Sequence, residues 1–195
     1  MADKQTKTAV VVSAHSADFV WRAGGAIALY AERGWEITVV CLSFGERGES
    51  AKLWRNTGMT IEKVKAARQE EAERAADVLG ARTIFFDAGD YPMRISDENL
   101  FKLAALYRDL RPEIILTHSL HDPYNFDHPL AARVAQEARI VAPGNRMLRD
   151  QSGGQFEVEI SRPHRAQCRV CRRNFQAWLR EITFRDNSRR FWGCE

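Results

Sequence analysis

His15 and Asp18 stand three positions apart in Ala14-His15-Ser16-Ala17-Asp18-Phe19, directly after the apolar run Thr8-Ala9-Val10-Val11-Val12-Ser13. A β-branched run that ends in a polar turn is how a buried parallel strand delivers side chains to the carboxyl edge of an α/β sheet. Imidazole nitrogen and carboxylate oxygen are also ligands that a catalytic zinc accepts while keeping a position open for water. Taken alone, the pair reads as ordinary turn hydrogen bonding.

A second loop changes that reading. After the apolar run Glu113-Ile114-Ile115-Leu116-Thr117 comes His118-Ser119-Leu120-His121-Asp122-Pro123-Tyr124-Asn125-Phe126-Asp127-His128-Pro129, followed by a helix-like segment from Leu130 to Ile140. Three of the chain's five histidines fall in this stretch. Two strand-end loops rich in His and Asp can converge on one ion that neither could hold alone.

His15-Ser16-Ala17-Asp18 resembles the AHPDD signature of the zinc-dependent PIG-L (LmbE-like) deacetylases, and Asn125-Phe126-Asp127-His128 resembles their later HPDH motif. The resemblance covers roughly residues 8–140 and implies zinc on His15, Asp18 and His128. It also implies departures. The general base of the deacetylases is replaced by Ala17, and the histidine that assists at the tetrahedral intermediate is replaced by Asn125. A methyl group cannot take a proton from water, so the resemblance keeps the metal site and removes the usual route to amide hydrolysis.

The segments AHSADFVWRAGGAIAL, CLSFGERGESAKLWR, GDYPMR and DPYNFDHPLA resemble one branch of that family, the hydratases of 4-oxalomesaconate (4-carboxy-2-hydroxymuconate) in bacterial gallate and protocatechuate breakdown. That resemblance implies addition of water to the carbon-carbon double bond of a small tricarboxylate. Such a reaction needs a Lewis acid, a proton-transfer group and cations for the carboxylates, but no acyl-transfer base.

Glu46 and Glu49 follow the strand-like run that ends at Leu42, and Glu49 is the favoured proton-transfer group, with Glu46 behind it. Asn125 and Asp127 complete the catalytic set. Arg22, Arg47, Lys52, Arg55 and Arg94 lie in or near these segments; Arg47 and Arg94, beside Gly or Pro, are the choices for substrate carboxylates. Arg68 and Glu71 have the spacing of a structural pair on a helix.

The elements that must position these groups alternate. Strand-like runs at 9–13, 37–42, 83–86 and 114–117 interleave with helical patterns at about 19–33, 61–79, 98–110 and 129–139. This predicts an α/β, Rossmann-like, doubly wound and mostly parallel sheet. Gly34 and Gly80 sit where helices should stop, and Thr60 and Ser96 where they should start. In the long helix Val64, Ala67, Ala75, Val78 and Leu79 form the expected inward stripe. Phe19 and Trp21 read as core or pocket-wall aromatics, core before pocket wall, and Gly24-Gly25 as a place of close helix packing, since the spacing is not that of a dinucleotide loop.

Residues 1–142 therefore read as one zinc-binding α/β domain. Beyond them the composition changes: every lysine lies before residue 143, whereas the remainder is rich in Arg and holds Cys168, Cys171 and Cys194. Residues 143–195 are taken as an atypical, truncated or altered C-terminal region. His164, Cys168 and Cys171 there have partial zinc-like spacing, but the fourth ligand of a closed site is not evident.

The net charge of +3 owes much to that region, and no nucleic-acid motif accompanies it. A polar, charged start without a secretory pattern, no bilayer-spanning run and no disulfide framework predict a cytoplasmic protein with neither nucleic acid nor membrane as partner; a homo-oligomer is left open. The sequence reads as a zinc-dependent hydratase. The alternatives are a zinc N-deacetylase that recruits another carboxylate, and an inactive, metal-stabilised binding domain.

Overall fold

A computed structural model describes residues 6–144 and 190–194. Strands β1 (Thr8–Ser13), β2 (Glu36–Cys41), β3 (Arg82–Phe85) and β4 (Ile114–His118) alternate with helices α1 (Asp18–Glu32), α2 (Ala51–Trp54), α3 (Ile61–Leu79), α4 (Asp97–Leu110) and α5 (Asp127–Gly144); β5 (Arg190–Cys194) closes the order. The sheet runs β3-β2-β1-β4-β5 and every pairing is parallel. The chain thus builds outward from β1 to β3, then returns to place β4 on the other side of β1. That reversal opens a crevice outside the carboxyl ends of β1 and β4, where ligands bind in sheets of this kind.

Both faces of the sheet are covered, which is why its strands are nearly continuous in apolar residues. On one face Ala9, Val11, Ile37, Val39 and Cys41 pack with Phe19, Ala23 and Ile27 of α1 and Ala72 and Ala76 of α3. On the other, Val10, Val12, Val40 and Leu42 meet Leu103 and Tyr107 of α4 and the small residues Ala131, Ala135 and Ala138 of α5. The period-two alternation of strand residues makes the two layers.

The helix signals operate as expected. Thr60 accepts the Lys63 amide, and Ser96 forms a reciprocal capping box with Asn99. Gly34 and Gly80 follow α1 and α3 at φ +77° and +75°, a conformation that favours glycine.

Three expectations are corrected. Val78 is 88 % exposed, because the inward arc of α3 is centred on Val64, Ala72, Ala75, Ala76 and Leu79, and Val78 lies about 100° round the helix from that centre. Trp21 is exposed while Phe19, on the opposite side of α1, is core. Gly24 does face Leu79 of α3, but a Cβ there would sit at an ordinary 3.8 Å, and Gly25 faces solvent, so this contact does not require glycine. Two elements were not foreseen: the single turn α2, and β5, which extends the sheet beyond β4. His164, Cys168 and Cys171 lie outside the described residues. No helix among the described residues is long and apolar enough to cross a membrane.

The layer assignment predicts contrasting substitutions. Leu103→Ala should cost about 2–5 kcal/mol in urea unfolding, and Val78→Lys should stay within about 0.5 kcal/mol of wild type. Equal effects at the two positions would contradict the assignment.

Candidate metal centre

The first loop is built by β1. Beyond Ser13 the chain turns so that Ser13 Oγ donates to the His15 carbonyl at 2.7 Å and the His15 amide donates to Asp18 Oδ2 at 2.9 Å. Asp18 is the first residue of α1, where the helix N-terminus favours a carboxylate. Ser16 Oγ donates to the Phe44 carbonyl at 2.7 Å and ties this loop to the one after β2.

That second loop is tied in turn to the third. Asp90 Oδ2 accepts the Arg47 and Gly48 amides at 2.5 and 2.8 Å. The fourth loop, after β4, folds around Asp122, whose Oδ1 accepts the Tyr124 and Asn125 amides. Asn125 Oδ1 accepts the Asp127 amide at 3.0 Å as α5 begins. Asp127 then reaches back, accepting the Tyr91 and Met93 amides at 3.2 Å each.

Four loops therefore converge on His15, which has no solvent exposure. Its Nδ1 is 3.1 Å from Asp18 Oδ2; its Nε2 is 3.3 Å from both Asp127 Oδ2 and Asp90 Oδ1. His128 is bound through Nδ1 to Asp122 Oδ2 at 2.7 Å, and its Nε2 lies 3.4 Å from Asp18 Oδ1. His118, stacked on His128 at 4.1 Å, spends its Nε2 as acceptor for the Ala14 amide.

Two sets of ligand atoms are each within 4.8 Å of one another: His15, Asp18 and His128, and His15, Asp90 and Asp127. Their surroundings separate them. Backbone amides occupy Asp90 Oδ2 and both Asp127 oxygens, so this set fixes loops and orients Nε2 of His15, with only Asp90 Oδ1 left unpartnered; in the first set Asp18 gives one oxygen, Oδ2, to an amide. His128 Nε2 is buried without a hydrogen-bond partner among the described residues. Both histidines of the first set thus give one nitrogen to a carboxylate and leave the other toward Asp18, the arrangement by which carboxylates orient metal-ligating imidazoles. Three buried carboxylates also gather in one place, which calls for a cation. The residues fit a divalent metal ion.

The electrostatics follow from the packing. Burial works against charge on His15, but hydrogen bonds to Asp18 and Asp90 and the charges of Asp18 and Glu49 outweigh it and raise the imidazole to about 10. Burial alone would raise Asp18, yet His128 and His15 hold it far below the usual carboxylate range. His118 is pushed down to about 3, by burial first, and is a neutral ring.

The remaining candidates sit as follows. Glu49 accepts a hydrogen bond from the Ala17 backbone and its Oε2 is 3.1 Å from Arg68 Nη2; burial first, then Asp18, raises its pKa. Glu46 is buried, with Oε2 unpartnered and Oε1 3.9 Å from Lys65. Arg68 does pair with Glu71, at 2.6 Å, and its side chain is only 14 % exposed. Arg47 is exposed, and its Nη1 donates to the Tyr91 carbonyl at 3.5 Å. Arg94 lines a separate cavity of about 430 Å³ with Ser96 and Lys102, to which no member of the His and Asp cluster contributes. His121 is exposed and outside the cluster. Sequence reasoning did not single out Asp90, His118 or Asp122. Their positions, in or at the start of loops that follow β3 and β4, were the available signal.

Residues 10–139 match the family described as GlcNAc-PI de-N-acetylase, PIG-L. The chain is 68 % identical over 136 residues to a 4-oxalmesaconate hydratase of Pseudomonas putida, covering 70 % of this chain and 53 % of that protein. It is 26 % identical over 157 residues to a 1D-myo-inositol 2-acetamido-2-deoxy-alpha-D-glucopyranoside deacetylase of Rhodococcus erythropolis, with the same two coverages. The crystal structure of the 4-carboxy-2-hydroxymuconate hydratase of Pseudomonas putida superposes with a TM-score of 0.69 at 68 % identity, over 70 % of this chain and 57 % of that one. The N,N'-diacetylchitobiose deacetylase of Pyrococcus horikoshii shares the fold, with a TM-score of 0.61 at 24 % identity over 69 % and 50 % of the two chains. The chain spans about half the length of these relatives.

The raised His15 makes metal uptake a proton exchange. An imidazole protonated up to about pH 10 must lose its proton to become a ligand. Titration with Zn2+ near pH 7.5, in buffers of different ionisation enthalpy, should therefore show about one proton released per ion, with affinity rising as pH rises. Affinity independent of pH, with no proton release, would argue against the cluster as the binding site.

Proposed function

The chain belongs to the PIG-L family, and on that premise we propose that it is a zinc-dependent hydratase, adding water to the carbon-carbon double bond of 4-oxalomesaconate (4-carboxy-2-hydroxymuconate) in gallate or protocatechuate breakdown. The observation that carries this reading is at Ala17. A methyl group stands where the deacetylase motif has its base, and the carboxylate of Glu49, from another loop, rests on the Ala17 backbone. The acid has moved and changed length, so its reach differs from that of a base presented by the motif itself.

In this proposal His15, Asp18 and His128 hold the zinc, while Asp90, Asp122 and Asp127 orient the two imidazoles. Bound there, zinc would supply the positive charge that polarises the oxo-carboxylate end of the substrate. Hydration takes a proton from the incoming water and delivers one to the neighbouring carbon. Glu49 is suited to that traffic, because burial and Asp18 raise it while the Arg68 guanidinium holds Oε2 in place. Asn125 has given its carbonyl oxygen to the α5 amide, so its part is to set the start of the helix that carries Asp127 and His128. Of the two arginines assigned to substrate carboxylates, Arg47 is the better placed, with its guanidinium on the Tyr91 carbonyl, whereas Arg94 lines a separate cavity. The partner is thus a small tricarboxylate. The cytoplasm, where the buried free thiol of Cys41 stays reduced, is the compartment proposed.

The readings separate in one assay. Purified protein, with and without added zinc, should hydrate the tricarboxylate and should not deacetylate N-acetyl sugars; robust amide hydrolysis would overturn the hydratase reading in favour of Glu49 serving as a deacetylase base. Glu49→Gln should lower hydration by about 10²-fold or more with zinc content unchanged, and Glu46→Gln should have the smaller effect. The reverse order would move the proton-transfer role to Glu46.

A further inference from the structure

Tyr91 is 40 % exposed, yet the rest of the residue is fixed from every side. Its ring lies parallel to the His15 imidazole, at 5.4 Å between centroids and 9° between planes. It also fills the space that a side chain on Gly48 would need: a Cβ there would stand 2.2 Å from Cε2 and 2.5 Å from Cδ2, so only glycine fits beneath it. The Tyr91 amide donates to Asp127 Oδ2 at 3.2 Å, and its carbonyl accepts from Arg47 Nη1 at 3.5 Å.

The backbone at Tyr91 has φ +36°, in a region that bulky residues seldom adopt and that persists only where the surroundings over-determine it. Covering His15 needs a flat ring but no hydroxyl. Among the described residues the Tyr91 hydroxyl has no hydrogen-bond partner. It is a donor on a ring held against His15 of the ligand cluster, with no acceptor for it among the described residues.

We propose that the Tyr91 hydroxyl is a substrate-binding group that donates a hydrogen bond to an anionic oxygen, a carboxylate in the tricarboxylate reading given above, on which this inference rests. A phenol that donates favours an oxyanion over the neutral acetamide of a sugar, because hydrogen bonds to charged acceptors are the stronger kind. The ring and the hydroxyl then have separate tasks: the ring shields one face of His15, and the hydroxyl fixes the end of the substrate that lies over it.

Tyr91→Phe keeps the ring and removes only the donor. Zinc-loaded wild type and variant are titrated calorimetrically with tricarballylate, an unreactive tricarboxylate, while zinc content and Tm are followed as controls. The expected result is affinity weakened by roughly 10-fold or more, with both controls unchanged. Affinities equal within about twofold overturn the proposal, and so does a wild type that does not bind tricarballylate. Hydration by the wild type, measured in parallel, judges the hydratase reading separately. A wild type that binds but does not hydrate fails that reading alone, and Tyr91 is still decided by the phenylalanine variant.

Discussion

The site depends on one buried imidazole held from both ends. His15 has Asp18 on Nδ1 and Asp90 with Asp127 on Nε2, all with little or no contact with water. Removing charged groups from solvent is costly unless each is paired and hydrogen-bonded. Here the cost is offset by backbone amides: Asp90 takes those of Arg47 and Gly48, Asp127 those of Tyr91 and Met93, and Asp18 that of His15. The same bonds that make the carboxylates tolerable also join the loops after β1, β2 and β3 to the start of α5. Local structure and site chemistry are therefore one set of contacts.

The topology makes this convergence available. Because β4 lies beside β1, the segments that carry His15 and His128 leave neighbouring strands. Two layers of apolar packing, Phe19 and Ile27 on one face and Leu103 and Tyr107 on the other, hold those strand ends in place without contributing to the chemistry. The buried cluster is electronegative, and the orphaned Nε2 of His128 faces into it. A divalent cation is what relieves both conditions.

Much of this was legible in the sequence. The four strands 9–13, 37–42, 83–86 and 114–117 fall within one residue of those observed, because continuous β-branched runs bounded by turn residues have few other ways to be buried. Two His- and Asp-rich loops at strand ends pointed to a shared ion, the family resemblance implied His15, Asp18 and His128 as its ligands, and the structure brings the atoms of these three together. Asp90, His118, Asp122 and Tyr91 were not singled out, because their meaning is set through space: Asp90 and Asp127 are far apart in the chain and meet only on Nε2 of His15. Val78 and Trp21 were misplaced for a simpler reason. An apolar side chain is permitted at the surface, so hydrophobicity alone does not say which side of a helix faces inward. The short strand β5, Arg-Phe-Trp-Gly-Cys, lies in a stretch where arginine and glycine obscure any strand pattern.

In the proposed centre one divalent metal is held on the Nδ1 side of His15, with Asp18 and His128, while Asp90 and Asp127 remain on its Nε2 side as orienting groups. Anomalous diffraction from zinc-loaded crystals tests this directly. The expected result is a single peak bonded to His15 Nδ1, an Asp18 oxygen and His128 Nε2, with no sulphur ligand. A peak between His15 Nε2, Asp90 and Asp127, or on cysteine, would contradict it.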